Sequence, residues 1–199
     1  MTDEAPDAQR LRISTTLAAS IAAAGGSALL AIALHPVVGT AAYAWILTAL
    51  LAAGAIAPVT IDLRVRKLPN RWVAPIAAAG AVQAFAIAYA TADPWRVFWP
   101  VIVGSIVAAF YIALGLAGMF GLGDAKFAAA LSITVAIYAG PLALYLIPIA
   151  MLLGGLWRAL LAAAGHGRRP RAHGPAIAIA ALVILVTTIA LQQAAGALQ

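Results

Sequence analysis

From Ile13 onward the chain alternates long apolar runs with short polar or Gly/Pro-bearing breaks. A hydrocarbon core of about 30 Å needs about 20 helical residues, and that length divides the chain into seven predicted spans. The first, Ile13–Leu34, is uncharged. It is too long for a signal-peptide core of about 7 to 15 residues and reads as a retained helix. Gly25 and Gly26 within it either permit close helix packing or form a weak point that neighbours support, the second being the default. A turn from His35 to Thr40 leads to a second span, Ala41–Ile61, which ends on Asp62. The third runs from Trp72 to Ala92 with Pro75 in its first turn, and the fourth from Val97 to Gly118. Phe127–Ala139 is too short to cross alone. The fifth span reaches full length only if its helix starts near Phe120 or Gly121, which sets Asp124 about one turn inside the boundary. Pro141–Ala164, kinked at Pro148, and a helix from Pro175 to about Ala195 complete an all-α, polytopic membrane helix bundle.

Composition agrees with that pattern. The chain is 65% hydrophobic and 9% charged, with a mean hydropathy of +1.02, whereas about a quarter of residues are charged in soluble domains. The net charge of +6 would suggest nucleic acid in a soluble protein. Here the basic residues sit in short loops between spans, the positive-inside pattern, and no nucleic-acid partner is expected. The loops Leu63–Arg71 and Gly165–His173 are therefore predicted to be cytoplasmic, together with the tail Met1–Arg12. Of the twelve Lys and Arg residues, that orientation leaves only Arg96 near the outside. Trp72, Trp95 and Trp99 fall at predicted boundaries and fit an aromatic belt.

Acids are scarce. Beyond Asp3, Glu4 and Asp7 the chain holds only Asp62, Asp93 and Asp124. Two spans separate Asp62 from Asp124, so parity puts both at one membrane face and Asp93 at the other. An acid at or inside the boundary is costly and marks a functional candidate. If folding brings Asp62 and Asp124 together, the pair holds one shared proton near neutral or mildly acidic pH. That is how aspartic proteases activate a water with one carboxylate and protonate the peptide oxygen with the other. Such chemistry needs no metal or cofactor, which suits a chain without cysteine. Gly121 and Gly123 would let a substrate backbone approach. Plainer readings stand beside these. Asp124 alone reads equally as the N-cap of the next helix, and Asp62 as a loop residue paired with Arg64 or Arg66. Lys126 either orients a carboxylate or substrate or is only a topological charge. His35, His166 and His173 show no ligand spacing and read as loop residues.

Gly121-Leu122-Gly123-Asp124-Ala125-Lys126 resembles the G-x-G-D-x-K motif of the type IV prepilin peptidases. Asp62-Leu63-Arg64 through Leu68-Pro69-Asn70 resembles the other signature of that family, an aspartate followed by a basic loop ending in Leu-Pro-Asn. His173-Gly174-Pro175 resembles the Gly-Pro that opens the family's last helix, with Ala172-His173 in place of the usual Pro-aromatic pair. The resemblance implies a tail over 1–12, an extra helix over 13–34 and a prepilin-peptidase-like membrane domain over 41–199. It implies an aspartyl endopeptidase in the inner membrane of a prokaryote. Asp62 and Asp124 would be catalytic, with Gly121, Gly123, Lys126, Pro69 and Asn70 shaping the site. The implied partners are the lipid bilayer and a prepilin or pseudopilin with a hydrophobic N-terminal helix. Many bacterial members also N-methylate the new terminus and carry a cysteine-bearing insert. No room exists for that insert between Leu34 and Ala41, so peptidase activity alone is expected. Two other classes use the same acids differently. A small transporter or proton relay would yield no peptide product, and an assembly factor would work without Asp62 and Asp124.

Overall fold

A computed structural model of the chain describes residues 6–165 and 172–197, with side chains from residue 14 onward. The start of the predicted tail and the predicted loop residues His166, Arg168, Arg169 and Arg171 lie outside the described residues. Seven α-helices account for nearly all of the rest: α1 Pro6–Ala33, α2 Ala41–Val65, α3 Asn70–Thr91, α4 Trp95–Leu116, α5 Leu122–Ala139, α6 Leu146–Ala163 and α7 Gly174–Ala194. Long apolar helices are the expected outcome, because in lipid every backbone N–H and C=O must be satisfied within the segment. The chain is a multi-pass membrane protein.

Boundaries depart from expectation where a local cap outweighs composition. α2 runs one turn beyond Ile61 and ends where Arg66 adopts φ 53°, its N–H returning to the Asp62 carbonyl. Asp62 therefore lies inside a helix and not in a loop. α3 starts at Asn70, two residues early, so Pro75 falls in the second turn. Residues 122–163 form a 42-residue apolar helical run, but it is not one rod. At Gly140 the backbone takes φ 53°, ψ −131°, and a 3₁₀ segment Gly140–Tyr145 reverses the chain. As a result the Arg158 guanidinium lies 5.6 Å from the Phe120 ring. The break thus precedes α6, and Pro148 is a first-turn residue rather than a kink.

α5 is the centre of the bundle, packed by α3, α4 and α7, and most of its residues are buried. Small residues make those approaches possible. A Cβ on Gly80 would stand 2.6 Å from Thr134 Oγ1, and one on Gly104 3.1 Å from Ile133. α1 packs on α3 and barely touches α2. A methyl group added at Gly25 or Gly26 would meet nothing within 4 Å, so neither glycine serves close packing.

Candidate active site

The C-terminal ends of α2, α4 and α6 meet the N-terminal ends of α3, α5 and α7, and Asp62 and Asp124 lie at that shared end. Asp93 lies at the opposite end, accepting from Arg96 Nε at 3.2 Å.

Asp62 is 4% exposed. Its Oδ2 accepts the N–H of Gly174 at 2.9 Å, and the His173 N–H is also directed at it. Both donors belong to the start of α7, where unpaired amides and the helix dipole favour an anion. Glycine at 174 leaves room for the carboxylate, since a Cβ there would stand 2.8 Å from Oδ2 and force it to shift. Among the described residues no arginine pairs with Asp62, which removes the reading of a surface ion pair with Arg64 or Arg66.

Asp124 is the third residue of α5, and the N-cap is Gly121. Its Oδ2 accepts the Gly121 N–H at 3.1 Å, while its own N–H donates to the Gly121 carbonyl at 3.0 Å. The Asp124 side chain thus closes the first turn from inside the helix and is not the N-cap. It lies within electrostatic reach of Asp62 and of Arg158.

The remaining expected residues have distinct places. Gly123 meets the basic loop directly, because a Cβ there would stand 3.0 Å from Leu68 Cβ and 3.4 Å from Leu68 N. Gly121 has φ −84°, ψ 150°, which any residue adopts. Lys126 Nζ donates to Asn70 Oδ1 at 3.1 Å across an exposed gap. Pro69 is the N-cap of α3, with its fixed φ (−69°) turning the loop into the helix. Leu68, Gly123, Asn70 and Lys126 together clamp the loop after Asp62 onto the first turns of α5.

His173 is not a solvated loop residue. It is 4% exposed, its Nε2 lies 3.3 Å from Tyr111 Oη, and its ring centroid is 4.5 Å from that of Phe120. Its Nδ1 has no partner among the described residues and faces the notch left by Gly154, where a Cβ would stand 2.7 Å away. Burial, then the nearby Arg158 charge, lowers its pKa to about 4, so the ring is neutral at physiological pH. The ring joins the two aspartate supports: one neighbour, Phe120, precedes Gly121, and the next residue, Gly174, donates to Asp62. Sequence reasoning missed this role. The available signal was a histidine placed immediately before Gly-Pro at a helix start, beside a tyrosine inside an apolar helix. His35 is exposed, as expected of a loop residue.

An all-helical membrane bundle with two acids held by helix N-termini at one end defines the class. Residues 46–159 match the sequence model of the type IV leader peptidase family, Peptidase_A24. The chain belongs to that family, a family of peptidases. Comparison with curated proteins and with solved structures finds no match.

Proposed function

We infer that the chain is a membrane aspartyl endopeptidase that cuts the leader from type IV prepilin-like or pseudopilin-like substrates at the cytoplasmic face, with Asp62 and Asp124 as its catalytic pair. The observation that carries this reading is the convergence of two carboxylates, 62 residues apart in sequence, at one end of a bundle whose family cleaves leader peptides. One carboxylate, ionised, takes a proton from water as the oxygen attacks the scissile carbonyl. The other, protonated, gives its proton to the carbonyl oxygen, and collapse of the tetrahedral adduct returns a proton to the leaving amine. Backbone donors from Gly174 and Gly121 hold the two carboxylates in place. The cytoplasmic orientation is supported by the basic loop Leu63–Arg71 at the same end. N-methylation is not part of this reading.

Co-expression with candidate prepilins in a peptidase-deficient host tests it, comparing wild type with Asp62→Ala and Asp124→Ala at matched membrane levels. A shortened product only with wild type is expected. Cleavage by both variants would remove the aspartyl mechanism.

A further inference from the structure

A cavity of about 450 Å³ lies between α1, α2 and α3, away from the carboxylates. It exists because α1 leans on α3 and leaves a gap to α2. Its walls are apolar and small: Ala19 and Ala23 from α1, Gly54 and Ala57 from α2, Ile76 and Ala79 from α3. Its inner end is polar but already satisfied, since Gln83 Nε2 donates to the Ser27 carbonyl at 2.8 Å and Tyr43 Oη donates to Gln83 Oε1. The other end carries Arg71 and Trp72. Arg71 forms no ion pair among the described residues; its guanidinium rests 5.9 Å from the Trp72 ring centroid. Arg64, Arg66 and Lys67 stand in the adjoining loop.

Dimensions select the occupant. Along α3 the cavity runs from Trp72 to Gln83, about 16 Å at 1.5 Å per residue. That is about half of a 30 Å hydrocarbon core, the depth of one leaflet. A membrane-spanning helix needs the whole core of about 30 Å, whereas an acyl chain needs only one leaflet, so the depth of the gap suits the acyl chain. The cation sits where such a chain would meet its headgroup, and the phosphate of an anionic phospholipid complements it. We propose that the gap between α1, α2 and α3 is a binding site for one anionic phospholipid, with one of its two acyl chains along Gly54 and Ala79, the other in the surrounding bilayer, and its phosphate on Arg71.

The full chain, purified in detergent, is incubated with equal amounts of phosphatidylglycerol and phosphatidylcholine, and retained lipid is counted by native mass spectrometry. Wild type is expected to keep one phosphatidylglycerol, preferred about fivefold over phosphatidylcholine for one basic contact. Gly54→Phe fills the cavity, since the nearest atom to a Cβ there is Ile76 Cγ1 at 3.8 Å. It should cut retention at least tenfold, and Ala79→Leu should do the same if Gly54→Phe folds poorly. Leu152→Phe, on the exposed outer face of α6, should retain lipid like wild type. Arg71→Gln should keep a lipid but lose the preference. Retention unchanged in both folded cavity variants, no lipid on wild type, or an undiminished preference in Arg71→Gln overturns the proposal. So does displacement of the lipid by a synthetic hydrophobic helical peptide that then occupies the gap itself.

Discussion

Gly174→Ala separates the proposed chemistry from the fold more sharply than replacing an aspartate, because it leaves both carboxylates present. The new Cβ would stand 2.8 Å from Asp62 Oδ2, 3.3 Å from Cγ and 3.4 Å from Cβ. To reach ordinary contact near 3.4 Å, Oδ2 must retreat by about 0.6 Å, which stretches or breaks its 2.9 Å bond from the Gly174 N–H. Losing a hydrogen bond to a charged group costs about 1.5–3 kcal/mol. Turning the carboxylate off its rotamer costs about 0.5–1.5 kcal/mol more. The sum, about 2–4.5 kcal/mol, corresponds to a loss of about 30- to 2,000-fold in cleavage rate if it all falls on the transition state. Residue 174 has no positive φ, and the atom nearest its new Cβ is the end of a side chain and not backbone, so the variant should still insert and accumulate. The assay is the rate of leader removal in membranes of matched protein content, with Gly121→Ala as control, where the nearest neighbour of a Cβ is Asp124 Oδ2 at a comfortable 3.6 Å. Cleavage by Gly174→Ala within threefold of wild type would refute the argument that the start of α7 holds Asp62 in working geometry.

Gly123→Ala, whose Cβ would press on Leu68 at 3.0 Å, should slow cleavage at least tenfold while Gly121→Ala stays within about threefold; the reverse order in the same assay would mean that the clamp between loop and α5 does not matter. Lys126→Gln loses only an exposed contact to Asn70 and should cost about two- to fivefold, with partial rescue in Lys126→Arg; complete loss would give Lys126 a part in the chemistry itself. His173 has a folded pKa near 4 against about 6.5 unfolded, so below pH 6.5 the unfolded chain binds the extra proton. The His173 contribution to stability should therefore fall by up to about 3 kcal/mol between pH 6.5 and 4, and no further below that. His173→Phe should show a smaller decline over this window in detergent unfolding midpoints, and equal declines would show that His173 does not titrate as described.

The parity argument that put Asp62 and Asp124 on one face needed only the number of apolar runs between them, a quantity set by bilayer thickness, and the all-helical class follows from the same physics. The break at Gly140-Pro141 is legible for the same reason, since a span ending at Ala139 and another starting at Pro141 each have the length of one crossing. What spacing along the chain does not contain is which helix ends touch. Asp62 looked equally like a headgroup-level loop residue because nothing near it in sequence says that Gly174, 112 positions away, will supply its donor. Gly123 could be valued for its freedom of backbone or for an open approach to substrate. Its nearest neighbour is instead the backbone and side chain of Leu68, so the glycine is required by packing between two motifs that are read separately along the chain. His173 was hidden by its type, because a histidine in a basic loop is ordinarily solvated, and only the notch at Gly154 and the ring of Phe120 make burial possible. Both motifs are thus halves of one contact surface. The aspartates supply the acids, and the residues after Asp62 and before Pro175 decide how those acids are held. A change at Gly174 or Gly123 should therefore damage cleavage without removing any group that takes part in it.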